Sequence, residues 1–168
     1  MPVWRLEDDC LAPTATLRID FEGPNPFLIY QRAGEILRRI FQVETADYWE
    51  RDFRWDISSD PRDFFVRIFI NKGVDVRTKI LAEVVMQGKQ PSDPSKNGKV
   101  TIFISARLIT EYRMDTIFQK SPIYKFFLWL YHKTLYNEVR RGYLSFCQNL
   151  LTKVYNEFRS VLEMSVKV

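Results

Sequence analysis

Histidine, cysteine and glycine are all scarce in this chain. Its 168 residues include one histidine, two cysteines and six glycines. A structural zinc site needs four nitrogen or sulfur ligands, which His132, Cys10 and Cys147 are too few to supply. A catalytic triad would have to use His132, which lies in an aromatic stretch between Tyr131 and Lys133. The composition therefore predicts no metal site, no catalytic residue and no cofactor.

Signals that mark several large classes of protein are also missing. No run approaches the roughly 18 apolar residues of a membrane-spanning helix, and no apolar segment follows a basic N-terminus. The glycine-rich patterns G-x-x-x-x-G-K-[ST] and G-x-G-x-x-G do not occur. No Asn-x-Ser/Thr acceptor for glycosylation occurs either. We therefore predict a cytoplasmic protein, possible peripheral contact with a membrane being left open.

The two cysteines stand far apart and form no C-x-x-C pair. A chain of this length buries about two-thirds of its unfolded surface, so it needs no disulfide to fold. Cys147 is predicted to be a small apolar residue on a helix face. Cys10 is predicted to lie in a flexible start without a chemical role.

Positive charge is concentrated near the C-terminal end. Residues 122–168 contain seven basic and three acidic side chains, whereas residues 1–121 contain 18 of each. An excess of this kind can attract phosphate groups or anionic lipid headgroups. The simpler interpretation is a solvated helix face, and at this modest charge density we favour it.

Alternation of apolar and polar residues predicts five strands. They cover residues 14–21, 48–58, 63–70, 74–86 and 100–112. Residues 1–13 show no sustained period and are predicted to be irregular. The last two strands are long enough that the sheet must twist and curl. A strongly curved antiparallel sheet is therefore expected.

Helical spacing of apolar residues predicts two helices. The first covers residues 26–41, and the second begins at Ser121 and Pro122 and runs to about Met164. A straight helix of that length would be longer than a small domain. We expect either a break near residues 140–142, where Gly142 lies, or a projecting first half. No internal repeat divides the chain, so residues 1–168 are predicted to form one domain.

The element order is strand, helix, long antiparallel strands and a long C-terminal helix with an apolar stripe. Its main features are the strand at 14–21, the hairpin at 74–113 and the helix that ends near Met164. This order resembles the helix-grip fold of the START/Bet v1-like superfamily, which includes polyketide cyclases and lipid-transport-like proteins. The resemblance implies an α+β fold in which a curved antiparallel sheet wraps around the C-terminal helix. It also implies a hydrophobic cavity, which relatives use for lipids, sterols, polyketides or other apolar ligands.

Inner faces of the predicted strands supply candidate ligand-binding residues. Arg51 falls on the face assigned inward, where a guanidinium needs an anionic partner and could anchor a carboxylate or phosphate. Alternatively, Arg51 reaches solvent or pairs with Glu44 or Asp47, which we favour. Polar inner-face groups could orient a ligand by hydrogen bonds. The predicted binding set is Arg51, Phe53, Trp55, Thr78, Ile80, Val84, Thr110 and Tyr112.

The strongest local signal is an aromatic helix flanked by lysines, KSPIYKFFLWLYHK at residues 120–133. It is too short to span a bilayer, but its aromatic rings and lysines suit a membrane interface. Packing against its own sheet and a dimer surface are the competing interpretations. Nucleic-acid stacking is not favoured, because the aromatic residues are not interleaved with dense basic residues. The predicted contact residues are Tyr124, Phe127, Trp129 and Tyr131.

Three functions follow as predictions. The first is binding or transport of an apolar, lipid-like small molecule, anionic ones included, between the sheet and the C-terminal helix. The alternative is a protein-interaction or dimerisation module that uses the aromatic helix at 122–136 and has a filled core. The third is a cyclase- or hydrolase-like enzyme of the same superfamily, which would need a paired acid and base inside the cavity.

Overall fold

One antiparallel sheet and three α-helices make up residues 3–167, the part of the chain that this computed structural model describes. A 3-10 turn at Thr45–Asp47 precedes the third strand. The elements in chain order are β1 (Val3–Asp9), β2 (Leu17–Pro24), α1 (Leu28–Phe41), β3 (Tyr48–Asp56), β4 (Arg62–Gly73), β5 (Thr78–Gln90), β6 (Asn97–Arg113), α2 (Pro122–Lys133) and α3 (Asn137–Val166).

The sheet is an open antiparallel meander that the two N-terminal strands extend at one edge. Strands β3, β4, β5 and β6 follow one another as antiparallel neighbours. On its other edge β6 pairs with β2 along its first half and with β1 along its second half. The two N-terminal strands therefore act as one edge strand, interrupted between residues 10 and 16.

The core lies between the concave face of the sheet and α3. Alternate residues of β4, β5 and β6 are buried, and they pack with the apolar stripe of α3. Helix α1 contributes a second stripe from the same side. The predicted α+β class, with a curved antiparallel sheet around a long C-terminal helix, is confirmed.

Strand β1 lies where the sequence predicted irregular structure, so that prediction is wrong for Val3–Asp9. The half-buried residues of β1 are Trp4, Leu6 and Asp8. Because an aspartate takes one of the inward positions, the sequence shows no apolar alternation there. Met1 and Pro2 lie outside the described residues.

A β-bulge in β3 overturns the predicted inward orientation of Arg51. The pairing register with β4 shifts between Glu50 and Asp52, which leaves Arg51 as the extra residue. Its guanidinium carbon lies 5.9 Å from the ring centre of Phe69 on the outer face. Trp49 stacks on the same ring, so it also points outward. An exposed Arg51 needs no buried anion.

The turn between β4 and β5 falls later than predicted. The sequence placed it at residues 71–73, but β4 continues to Gly73 and the turn occupies residues 74–77. The carboxylate of Asp75 accepts hydrogen bonds from the backbone N–H groups of Arg77 and Thr78, at 2.7 and 2.6 Å. An aspartate that bonds to the backbone ahead of it stabilises a turn, which fixes the position.

The C-terminal helical region breaks at residues 134–136, not at 140–142. Gly142 lies inside α3, so the helix is continuous across it. Helix α2 begins as predicted, since the Ser121 hydroxyl accepts a hydrogen bond from the N–H of Tyr124. It ends where the hydroxyl of Thr134 donates back to the carbonyl of Leu130 at 2.6 Å.

A disulfide joins Cys10 to Cys147, which corrects the predictions made for both cysteines. Both side chains are fully buried, and their Cα atoms lie 5.9 Å apart. The bond fastens the segment between β1 and β2 to α3 across a sequence separation of 137 residues. The two cysteines are far apart in the sequence, but the fold brings them together.

Replacing Cys147 with serine is expected to lower the free energy of unfolding by about 2–5 kcal/mol, because the unfolded chain gains conformational freedom. Urea denaturation of the oxidised wild type and of Cys147→Ser measures the difference. The double variant Cys10→Ser/Cys147→Ser serves as the control for an unpaired thiol. Equal unfolding midpoints for wild type with and without a thiol reductant would contradict the stabilising role.

Candidate functional site

The predicted ligand-binding residues separate into three places. Ile80 and Val84 lie deep in the core. Phe53 and Trp55 lie at the β3 edge of the sheet, where their rings contact Tyr30 and Phe27, with centres 5.3 and 4.5 Å apart. The three polar residues meet at the opposite end of the sheet; these are Thr78, Thr110 and Tyr112. Arg51 belongs to none of the three, since it lies on the outer face of the sheet.

The space between the sheet and α3 is filled by side chains. A residue that lines a void large enough for a water molecule keeps some accessible surface. Ile80, Met86 and Ile104 on the sheet are 0% exposed, as are Val154 and Phe158 on α3. An apolar ligand at this position would have to displace core side chains. The predicted carrier function therefore stays a prediction, and the described structure has no preformed cavity between the sheet and α3.

A polar cluster forms where β5 begins and β6 ends, beneath the corner between α2 and α3. The hydroxyl of Thr78 lies 3.3 Å from that of Thr110 and 3.0 Å from that of Tyr136. Tyr136 in turn donates to Asp75 at 2.9 Å. The corner at residues 134–136 brings Tyr136 against the sheet, so this cluster joins the end of the sheet to the start of α3.

The ionisation of the cluster follows from burial and hydrogen bonding. Burial is the main cause that raises the pKa of Tyr136 to about 12, and the nearby Asp75 carboxylate adds to the increase. Burial also pushes the pKa of Asp75 upward, but hydrogen bonds from the Arg77 amide, the Tyr136 hydroxyl and the Thr78 amide outweigh it and lower that pKa. Tyr136 is therefore a neutral donor and Asp75 a charged acceptor at neutral pH.

His132 forms a second contact between α2 and the sheet. It is 1% exposed, and its Nδ1 atom lies 3.2 Å from the Tyr112 hydroxyl. The His132 ring also stacks on the ring of Tyr136, with centres 5.4 Å apart. The sequence had suggested a polar interruption of an aromatic helix, whereas the imidazole is buried.

The carboxylate of Asp8 on β1 lies close to three basic side chains. Arg140 of α3 donates to it at 2.8 Å, Lys133 lies 3.9 Å away, and His132 Nε2 also lies 3.9 Å away. Arg140 further donates to Asn137 at 2.7 Å. The N-terminal strand, α2 and α3 are thus connected through one carboxylate.

Helix α2 turns its apolar face to solvent. Its inward positions are Tyr124, Leu128 and His132, four residues apart. On the opposite side, Ile123, Phe126 and Phe127 are 66%, 57% and 62% exposed, and Leu130 and Trp129 are also exposed. A helix on a globular protein normally shows the reverse arrangement. Contiguous exposed apolar side chains of this kind mark interaction surfaces.

Lysines surround this apolar surface and acids do not. Residues 116–137 contain Lys120, Lys125 and Lys133 but no Asp or Glu. The connection before α2 adds two more exposed apolar side chains, Ile117 and Phe118. We call this surface, residues 117–133, the aromatic surface.

A cleft of about 430 Å³ lies beside the polar cluster. Its walls include Tyr112, Tyr131, Tyr136 and Arg77. The guanidinium of Arg77 lies 5.5 Å from the centre of the Tyr112 ring. Among residues 3–167, no three or more potential metal-ligating side chains come together.

Sequence reasoning placed Thr78, Thr110 and Tyr112 on inner faces, but missed the residues that they meet. Asp8 lay in a segment without a recognised period. Tyr136 and Arg140 were assigned to the predicted helix from Ser121 to about Met164, whose break was expected near residues 140–142. Asp75 alone carried a readable signal, as an aspartate at a position suited to a turn.

Comparison with known protein families and with curated proteins finds no match to this chain. A solved structure of an uncharacterised protein from Rhizobium leguminosarum aligns with it at 10% sequence identity and a TM-score of 0.23. The alignment covers 91% of this chain and 99% of the other. A likeness of this degree carries no argument about function.

Removing the Tyr136 hydroxyl is expected to loosen the corner between α2 and α3. Tyr136→Phe loses the bonds to Thr78 and Asp75, so we expect the free energy of unfolding to fall by about 1–3 kcal/mol. Chemical denaturation measures this. Tyr155→Phe on α3 is the matched control. Indistinguishable unfolding curves for the two variants would show that the cluster contributes nothing.

Proposed function

We propose that this protein binds the surface of anionic membranes through the aromatic surface. One observation carries the proposal: α2 presents Ile123, Phe126 and Phe127 to solvent, within a stretch that has three lysines and no acid. Apolar side chains enter the boundary between headgroups and acyl chains, while lysines remain at the anionic headgroups. Trp129 and Tyr131 suit the same boundary, since each ring has one polar atom.

The charge pattern argues against a second copy of the chain as the occupant. A two-fold dimer brings the same surface of both copies together. Lys120 and Lys125 of each copy would then face one another without an acid in this stretch to pair with. Like charges placed opposite one another oppose association. An anionic occupant has no such difficulty.

The shape of the aromatic surface favours a lipid layer over a folded protein partner. Hot spots of protein interfaces fill well-packed pockets. Here the exposed side chains project from a single convex helix about 18 Å long. Within the described chain, no helix is long and apolar enough to cross a membrane. A helix of this kind would lie in the plane of the interface.

The double variant Phe126→Ser/Phe127→Ser is expected to weaken binding to vesicles of phosphatidylcholine and phosphatidylserine at least tenfold. Each buried phenylalanine contributes about 1–2 kcal/mol when only part of its surface leaves water. Co-sedimentation with vesicles gives the partition coefficient. Ile57→Ser is the control, because Ile57 is 73% exposed but follows β3 at the other end of the sheet.

The same assay tests the lysines. Lys120→Gln/Lys125→Gln should reduce binding roughly tenfold or more on phosphatidylserine vesicles and much less on phosphatidylcholine alone, at about 1 kcal/mol per lysine. Lys153→Gln on α3 is the charge-matched control for one substitution. Wild-type protein that stays in the supernatant with every vesicle would refute the proposal.

A second candidate function is binding of an apolar ligand with a polar group in the cleft beside the polar cluster. The cleft of about 430 Å³ favours it, since tyrosine rings line the space together with the opposite charges of Arg77 and Asp75. It moves the predicted ligand site from the core to the end of the sheet. The resemblance of the element order to START/Bet v1-like proteins, which bind apolar ligands, also supports it. Native mass spectrometry of purified protein tests it by detecting a stoichiometric small molecule.

The disulfide bears on where the protein acts. Disulfides persist in oxidising compartments and are rare in the cytosol. The Cys10–Cys147 bond therefore weighs against the cytoplasmic location predicted from sequence, and we infer that an oxidising compartment suits this chain better. Thiol labelling of the protein in cell extracts, without prior reduction, distinguishes the two locations.

A further inference from the structure

Helix α2 is held to the molecule by one face and two connections. Residues 114–121 lead into it and residues 134–136 lead out. On the attached face Tyr124 and Leu128 are half-buried, and His132 is buried. Because α2 contributes nothing to the filled core, it can leave the sheet without disturbing the core.

The His132 site suits a neutral imidazole. A neutral ring has one N–H and one acceptor nitrogen, whereas the protonated ring has two N–H donors. Nδ1 has the Tyr112 hydroxyl at 3.2 Å. Nε2 is buried and has no hydrogen-bond partner among residues 3–167, because Asp8 Oδ2 lies 3.9 Å away. Protonation would therefore add a second N–H donor and a positive charge to the ring. The nearest carboxylate, that of Asp8, is too far away to accept a hydrogen bond from that donor.

The charged groups around the ring do not compensate for this. Asp8 on β1 is the nearest acid, but it already pairs with Arg140 of α3 at 2.8 Å. Lys133, next to His132 on α2, also lies 3.9 Å from Asp8. Two cations thus share one carboxylate before the imidazole gains a proton.

The remaining neighbours are neutral or act at a distance. Tyr112 on β6 and Tyr136 at the corner are uncharged phenols at physiological pH. Arg77 from the β5 side lies over the ring of Tyr112, and Asp75 acts through the Tyr136 hydroxyl.

We propose that His132 is a pH-sensitive latch for α2: protonation of the imidazole in mildly acidic solution releases the helix from the end of the sheet. Release frees the inward side chains Tyr124 and Leu128 and so enlarges the apolar area available to a membrane. The effect on membrane binding rests on the proposed function, whereas the release itself does not.

The direction of the pH effect agrees with the geometry. Burial lowers the pKa of His132 below its ordinary value of 6.5; Arg140 and Lys133 act in the same direction, and Asp8 opposes them. The docked helix therefore binds a proton less tightly than the released helix. Docking is at full strength above about pH 6.5 and weakens as the pH falls below it, by up to tenfold for each unit of pKa lowering.

Hydrogen exchange on the full chain without membranes tests the release. An isolated helix of this length is marginal in water, so released α2 loses amide protection. After correction for the intrinsic pH dependence of exchange, we expect α2 protection to fall between about pH 7.5 and pH 5, with β6 unchanged. In His132→Gln, which cannot take up the proton, the pH dependence should disappear. Equal protection of wild-type α2 at both pH values, or the same loss in His132→Gln, would overturn the latch.

A second measurement needs no variant. The sequence contains one histidine, so a proton NMR titration of the untagged chain follows one imidazole. The latch requires that its titration and the loss of α2 protection share one midpoint, below 6.5. Titration of the imidazole without any change in α2 exchange would overturn the proposal even if His132→Gln fails to fold.

Vesicle binding separates the latch from the proposed function. On phosphatidylcholine vesicles, wild type should bind more tightly at about pH 5 than at about pH 7.5, and His132→Gln should not. Loss of α2 protection without binding to any vesicle would support the latch and refute the membrane function. Binding to phosphatidylserine vesicles with α2 protection independent of pH would refute the latch alone.

Discussion

Antiparallel pairing along both edges of β6 is the constraint on which the rest of this structure depends. The strand is 17 residues long, so it can pair with β5 on one edge and with β1 and β2 in succession on the other. Its inward residues supply part of the surface on which α3 packs. Near its end, the same alternation places Thr110 and Tyr112 beyond the apolar core. The polar cluster under α2 is therefore a continuation of this strand, built by the same register that builds the core.

The sequence predicted the sheet best where most inward residues are apolar. Strands β4, β5 and β6 meet that condition except at Thr78 and Thr110, and their faces were assigned correctly over most of their length. The wrong predictions have local causes. Asp8 at an inward position removed the apolar alternation of β1, and the extra residue Arg51 changed which residues of β3 face inward. Hydrogen bonds to the Asp75 side chain placed the turn between β4 and β5 later than predicted. Of the polar cluster, alternation identified Thr78, Thr110 and Tyr112. Their partner Tyr136 depends on a corner that no glycine or proline marks, and so it could not be found from spacing.

The structure decides which side of α2 faces solvent. The sequence already showed that the stretch at 120–133 combines aromatic residues with lysines. A short amphipathic helix would normally bury its apolar side and expose its lysines. In α2 the buried residue is His132, so the phenylalanines lie on the solvent side together with the lysines. Periodicity alone could not choose between these orientations, because the segment is apolar on nearly every side.

The Cys10–Cys147 bond closes a covalent ring that contains β2 to β6, α1, α2 and the first turns of α3. A protease that cuts this ring once, in the exposed connection before α2 or at the corner after it, leaves both fragments joined through sulfur. Cleavage at both places removes α2 alone, and every strand of the sheet keeps its neighbouring strands. Cleavage of two peptide bonds is thus enough to separate the helix with the exposed aromatic residues from the rest of the domain.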